Sequence, residues 1–223
     1  KFLDRWKTSL STHGSPSDPE IVTRNRARKK HALVIDVCTP KPDRDAGSID
    51  TYHCLLTLRR IGFEVTFISV VDAEVVDTYV SALQKRGIQC VYMPYLSSIE
   101  EYFKQMGKFL DLVMLVRAPF GGRYIDSARK FASRAQIVFN TVDLHFLREK
   151  RESELTGKRE RPQEHVSKNE ELSIMKKADA SIVVSDYEQT LLRSLDDSIN
   201  SRVIPLDGDI PGRTEGFDKR KNL

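Results

Sequence analysis

Residues 31–37 read HALVIDV, a strand's length of almost unbroken apolar side chains. A strand wetted on one face alternates apolar with polar residues, so a run without alternation must be covered on both faces. Comparable runs recur at 64–69 (EVTFIS), 89–93 (QCVYM), 112–116 (LVMLV), 136–140 (QIVFN), 181–184 (SIVV) and 202–206 (RVIPL). Between them lie stretches of helical character. The first covers 48–61, with apolar side chains at Ile49, Tyr52, Leu55, Leu56 and Leu58, Ser48 as N-cap and Gly62 just past its end. The others are expected over 74–86, 98–107, 123–132, 144–155, 164–177 and 187–195. Strand and helix in regular alternation predict an α/β fold: a doubly wound parallel sheet of about seven strands, the first of them central.

Composition agrees with such a domain. The 223 residues are 39% hydrophobic and 30% charged, enough apolar surface for a substantial core and too much for disorder. A net charge of +4 is too mild for a dedicated nucleic-acid binder. The longest run free of Lys, Arg, Asp and Glu, ending at Ile99, falls far short of the roughly 20 residues that span a bilayer. Cys38, Cys54 and Cys90 are odd in number and lack CxxC spacing, which argues against a disulfide framework or a zinc site and for a reducing cytoplasm. Residues 1–30 are a polar extension ending in the basic run Arg24, Arg26, Arg28, Lys29 and Lys30, which is expected either to steer the protein peripherally to anionic membrane or to be a solvated linker. The start at Lys1 and the Gly-, Pro- and charge-rich stretch 208–223 are expected of a fragment whose linker leads into a further domain.

In doubly wound sheets ligands bind beyond the carboxyl ends of the strands, so the residues just after each strand are the functional candidates. After the first comes CTPKPDRDAGS, with Asp43, Arg44, Asp45, Gly47 and Ser48. A glycine at a helix start offers close backbone approach and unpaired N–H groups to an anion; alternatively Gly47 and Ser48 only turn and cap the helix. The loop is neither GxGxxG nor a Walker A sequence, which counts against dinucleotide oxidoreductases and P-loop ATPases. After the fifth strand comes TVDLH, where Asp143 and His145 stand where acid–base groups belong; alternatively Asp143 caps a helix and His145 is a surface residue. After the fourth comes RAPFGGR, whose Arg117 and Arg123 could hold a phosphate or carboxylate, or simply be solvated. Ser185 reads as a cap. Glu152 and Glu160 match an E-x7-E spacing but lack the strand-and-glycine context, and we discard them.

Taken together, ALVIDVCTPKPDRDAGSIDTYHCLLTLRRIGFEVTFIS, IVFNTVDLHFLREKRESELTG and ELSIMKKADASIVVSDYEQTLL resemble the amino-terminal domain of GT-B glycosyltransferases, specifically the large retaining family 4 group. The resemblance covers most of the chain, and implies that residues 31–207 form a Rossmann-like acceptor-side domain. A second such domain would hold most of the nucleotide-sugar donor. It implies that Asp43, Arg44, Asp45, Gly47 and Ser48 close over the donor phosphates and the reacting sugar. It also implies a donor-contacting histidine in a T-x-H-D setting after the fifth strand. Here Asp143 occupies the matching position and the histidine follows two residues later, at His145.

The function implied is transfer of a sugar, with retention, from a nucleotide-sugar substrate to a carbohydrate or lipid-linked acceptor in polysaccharide or glycoconjugate synthesis. No separate cofactor and no metal are required, since charge on the departing diphosphate can be met by Arg and Lys. The isolated fragment is expected to be inactive and to bind nucleotide sugars weakly. The alternatives are a non-catalytic Rossmann-like binding or interaction module, and another Rossmann-like enzyme such as a sugar-nucleotide epimerase.

Overall fold

The computed structural model describes residues 5–8, 30–71, 78–156 and 167–205. Strand β1 (His31–Asp36) is buried along its whole length. It is flanked on both sides, pairing in parallel with β2 (Glu64–Ser69) and with β4 (Leu112–Val116), so that Ile35 faces Ile68 on one side and Leu115 on the other. The remaining strands are β3 (Ile88–Val91), β5 (Gln136–Asn140), β6 (Ala180–Val183) and β7 (Ser201–Val203). Together they form one seven-stranded sheet in the order β3-β2-β1-β4-β5-β6-β7. Every pairing is parallel. This is the doubly wound, Rossmann-like α/β architecture expected from the apolar runs.

Among the described residues seven helices cross between the strands: α1 (Ala46–Arg60), α2 (Thr78–Lys85), α3 (Ile99–Met106), α4 (Ile125–Phe131), α5 (His145–Thr156), α6 (Lys168–Lys177) and α7 (Asp186–Leu195). Strand side chains alternate between faces, and each face has its own core. Leu33, Ile35, Val113, Leu115, Ile137 and Phe139 pack with Phe103, Ile125 and Met175 on one side. Ala32, Val34, Val65, Phe67, Met114 and Val116 pack with Leu55, Leu58 and Leu83 on the other. Each of the larger side chains stabilises the fold by about 1.5–3 kcal/mol when fully buried, which is why the runs are apolar throughout.

One boundary that bears on the candidate site differs from expectation. Helix α1 begins two residues early, because Asp45 and not Ser48 is its N-cap: the Asp45 side chain accepts from the Ser48 N–H at 2.8 Å. Its end is as expected, with Gly62 in the left-handed region at φ 100°. Ser185 caps α7 as expected, accepting from the Glu188 N–H. No helix among the described residues is long and apolar enough to cross a membrane. Most of the polar extension, the basic run apart from Lys30, and the stretch 208–223 lie outside the described residues.

Candidate functional site

The order of strands reverses between β1 and β4, and the ends of both strands carry charge. Asp36 closes β1 and is 1% exposed. Arg117 follows β4 directly, with its backbone in the left-handed region at φ 61°. That conformation is uncommon for a residue with a side chain. Here the Arg117 N–H donates to the Asn140 carbonyl at 2.9 Å while its own carbonyl accepts from the Gly122 N–H at 2.9 Å. The guanidinium is thereby aimed back across the switch point and bonds the Asp36 carboxylate. Asp36 also accepts from the Val37 N–H at 2.6 Å and the Thr51 hydroxyl at 2.7 Å. Burial works against the charge on Arg117, but the Asp36 carboxylate outweighs it and holds the guanidinium above its ordinary range.

The first loop closes over this pair. The Asp45 carboxylate accepts from both the N–H and the hydroxyl of Ser48, and lies 4.0 Å from Arg117 Nη2. Partial burial opposes its ionisation, yet the Ser48 bonds and Arg117 hold it below the usual carboxylate range. A Cβ on Gly47 would stand 2.2 Å from Arg117 Nη2 and 3.2 Å from Val142 Cγ1. The space beside Gly47 is occupied by this chain's own Arg117 side chain. Ser48 is buried in α1 and bonded to Asp45. Asp43 and Arg44 are the members of the loop that reach outward. Asp43 accepts from the Tyr79 hydroxyl at 2.8 Å, and the Arg44 side chain is 72% exposed.

A second pair sits beside the first. Asn140, the last residue of β5, donates to Asp50 at 2.7 Å and accepts from the Val142 N–H at 3.0 Å. Burial pushes the Asp50 carboxyl up. Val142 is left-handed at φ 63°, a strained conformation for a β-branched residue that costs on the order of 1–3 kcal/mol. It turns the chain so that Asp143 and His145 start a new direction at the edge of the sheet.

These two residues occupy different environments. Asp143 is half-buried and forms an ion pair with Arg148 at 2.9 Å. It opens onto a groove of about 340 Å³ whose wall includes Leu144, Leu147, Arg148 and Leu155. His145 is only 2% exposed, so it is not a surface residue. It is the first residue of α5, whose N-terminus is held by a carboxylate from another helix: Glu171 of α6 accepts from the N–H groups of His145 at 3.1 Å and Phe146 at 3.0 Å. Nor does Asp143 cap this helix as considered from the sequence; Glu171 does so in its place.

The stretch RAPFGGR has a packing role in its centre. A Cβ on Gly121 would lie 2.5 Å from the Ile35 carbonyl and 2.6 Å from the Val116 backbone, so the glycine lets the loop fold onto the ends of β1 and β4. Arg117 goes inward to Asp36, while Arg123 lies exposed on the 3-10 turn Gly121–Tyr124. The two arginines flank the glycines in sequence but take different settings, Arg117 partly buried and Arg123 exposed.

Sequence reasoning missed Asp36, Asp50, Thr51, Asn140 and Glu171. A signal existed for two of them: Asp36 and Asn140 are the polar ends of otherwise apolar strands, and a polar residue there must find a buried partner. Burial pushes the thiols of Cys54 and Cys90 up to about 12, which removes both as nucleophiles near neutral pH.

No protein-family model and no curated protein matches the chain. Among solved structures, Glycyrrhiza uralensis UGT73P12, complexed with glycyrrhetinic acid 3-O-monoglucuronide, is similar with a TM-score of 0.45 and 12% sequence identity. That similarity covers 78% of this chain and 48% of the other, so this chain spans about half the length of the protein it resembles.

Proposed function

We propose that this chain is the acceptor-side half of a GT-B glycosyltransferase of the retaining family 4 type. In the whole protein it would move a sugar from a nucleotide-sugar donor to a carbohydrate or lipid-linked acceptor. The observation that carries this reading is a juxtaposition. The two stretches on which the sequence resemblance rests, PKPDRDAGS and TVDLH, meet at the carboxyl edge of the sheet, with Val142 Cγ1 only 3.2 Å from where a Gly47 Cβ would stand. Ligands of doubly wound sheets bind along that edge.

On this reading Asp43 and Arg44 are the exposed loop groups on the donor side, and the groove beside Asp143 is the natural acceptor space. Asp143 and His145 are the catalytic candidates. Asp36 and Arg117 position the loop and do not touch the substrate. Charge developing on the departing diphosphate would be stabilised largely by basic side chains of a second domain.

The test is an assay of the full-length protein against a panel of nucleotide sugars, reading transfer and donor hydrolysis. Asp143→Ala and His145→Ala should each be compared with the parent, and the residue that acts as acid–base group should lose turnover by about 100-fold or more. Absence of transfer and of hydrolysis with every donor would overturn the proposal. A non-catalytic module is the second reading, favoured by the burial of His145 and the commitment of Arg117 to Asp36. It requires that same negative result together with a retained fold.

A further inference from the structure

All strands of a parallel sheet start at one edge, and the helices that cross back end there too. That amino edge lies opposite the candidate site, and it carries a row of cations. Arg86 precedes β3, Arg60 precedes β2, Lys30 precedes β1, Lys108 precedes β4, and Lys130 and Arg134 precede β5. These five strands are adjacent in the order β3-β2-β1-β4-β5, so each has a basic side chain at its head. At about 4.8 Å per strand the row is roughly 19 Å long.

The acidic groups of this edge are largely engaged elsewhere. Glu64 holds Arg59 at 2.9 Å, Asp179 holds Arg129 at 3.0 Å, and Asp111 accepts from the His31 N–H at 2.9 Å. The six cations of the row are exposed, and each is without a carboxylate partner among the described residues. A helix carboxyl end favours positive charge, which accounts for Arg60 in the last turn of α1 and Lys130 in that of α4. It does not account for Lys30, Arg86, Lys108 and Arg134, which lie outside the α-helices.

Apolar side chains stand among these charges. Ile61, next to Arg60, is 63% exposed. Lys108 Nζ lies 4.7 Å above the Phe109 ring and Lys130 Nζ lies 5.1 Å above that of Phe131, both rings being half-buried. Cationic heads over apolar bodies suit the boundary between water and lipid.

We propose that the amino edge of the sheet is a docking surface for a bilayer carrying anionic headgroups. Single cations spaced along a row can each meet a headgroup, because lipids rearrange laterally, and Ile61 reaches past the headgroups into the apolar boundary. A soluble polyanion would engage the charges and leave Ile61 in water. Docking in this way turns the candidate site away from the bilayer. The proposal goes beyond the transfer reading, and vesicle binding is measured without donor or acceptor.

The chain should sediment with vesicles of equal parts phosphatidylcholine and phosphatidylglycerol, more weakly as salt is raised, and not with phosphatidylcholine alone. Arg60→Gln with Lys108→Gln should weaken binding by at least about 10-fold. Lys41→Gln with Arg44→Gln removes the same charge from the carboxyl edge and should change it by less than about 2-fold. Ile61→Ser keeps every charge and should weaken binding by at least about 3-fold. Thermal melting of each variant verifies that the fold is retained. Absence of sedimentation with the anionic vesicles overturns the proposal, as do equal losses in the two double variants. Binding unaffected by Ile61→Ser, with undiminished retention on heparin, identifies a soluble polyanion as the partner and overturns it too. So does binding that is lost only when Arg24, Arg26, Arg28 and Lys29 are replaced and is untouched by the edge variants.

Discussion

The Arg117 guanidinium and the Asp36 carboxylate, 81 residues apart in sequence, pair across the point where the strand order reverses. A ligand crevice is expected at that point of a doubly wound sheet. Here an internal ion pair lies at that point, and the side chains of Asp43 and Arg44 in the loop above β1 are exposed. Removing one partner of a buried pair leaves the other uncompensated, at a cost of about 3–5 kcal/mol. Arg117→Ala should fall near the lower end, about 3 kcal/mol, because Asp36 keeps its bonds from Thr51 and Val37. Urea unfolding measures this. A double replacement, Asp36→Leu with Arg117→Leu, should cost less than either single one. A loss below about 1 kcal/mol for Arg117→Ala would show the pair to be energetically idle.

Gly47 and Arg117 should be coupled. In the parent, Gly47→Ala drives a methyl group into a guanidinium that Asp36 pins in place, and stability should drop. In an Arg117→Ala background the obstruction is gone. The same substitution should then be neutral or stabilising by up to about 1 kcal/mol, the helix preference of Ala over Gly. A double-mutant cycle reads the difference. If Gly47→Ala had the same effect in both backgrounds, the close approach would play no part in the choice of glycine. Gly47→Val should disturb the ion pair as well as any bound donor, so its effect on transfer has to be read beside a stability measurement.

The adjacent glycines of RAPFGGR should differ from each other. The obstacle at Gly121 is backbone of β1 and β4, which cannot move without opening the sheet, and Gly121→Ala should cost about 2–3 kcal/mol. At Gly122 the nearest atom, at 3.0 Å, is the terminal methyl of Ile174, which can turn aside. Gly122→Ala should cost about 1 kcal/mol or less. Equal losses measured by chemical denaturation would contradict this account.

Stability should fall as pH rises through neutrality, because of Glu171. Burial, only partly offset by the N–H groups of Phe146 and His145, lifts its carboxyl from the ordinary value of 4.5 to about 7. A raised pKa means that the folded protein holds a proton the unfolded chain has released. The contribution of this group is therefore full below about 4.5 and declines as pH rises to about 7, by on the order of 3 kcal/mol. Melting of the parent and of Glu171→Gln between pH 4.5 and 8 separates this group from the rest. The glutamine variant should show a flatter profile over that interval, and identical profiles would exclude Glu171 as the source.

Much of the fold was legible because burial on both faces leaves a mark on consecutive residues. Strands β2, β4 and β5 fall where EVTFIS, LVMLV and QIVFN place them. The start of α1 was misread because Asp45 and Ser48 are both competent caps, and the choice between them is made in space. Asp45 faces Ser48 and lies near Arg117, a residue remote in sequence. The candidate site was legible in its position, at the ends of β1, β4 and β5, but not in its internal partners.

The alternation of strand and helix, the parallel sheet and the edge along which its polar loops emerge can all be read from the amino-acid sequence. Each follows from local periodicity and from the need to bury every apolar run. Which polar groups satisfy one another is settled by the packing in space: Arg117 with Asp36, Asn140 with Asp50, and Glu171 with the start of α5. A charge taken out of water must find a partner, but nothing in a linear pattern says which of the many carboxylates and cations will be brought within 3 Å. The order of the strands makes that choice, because it sets which loop ends stand side by side.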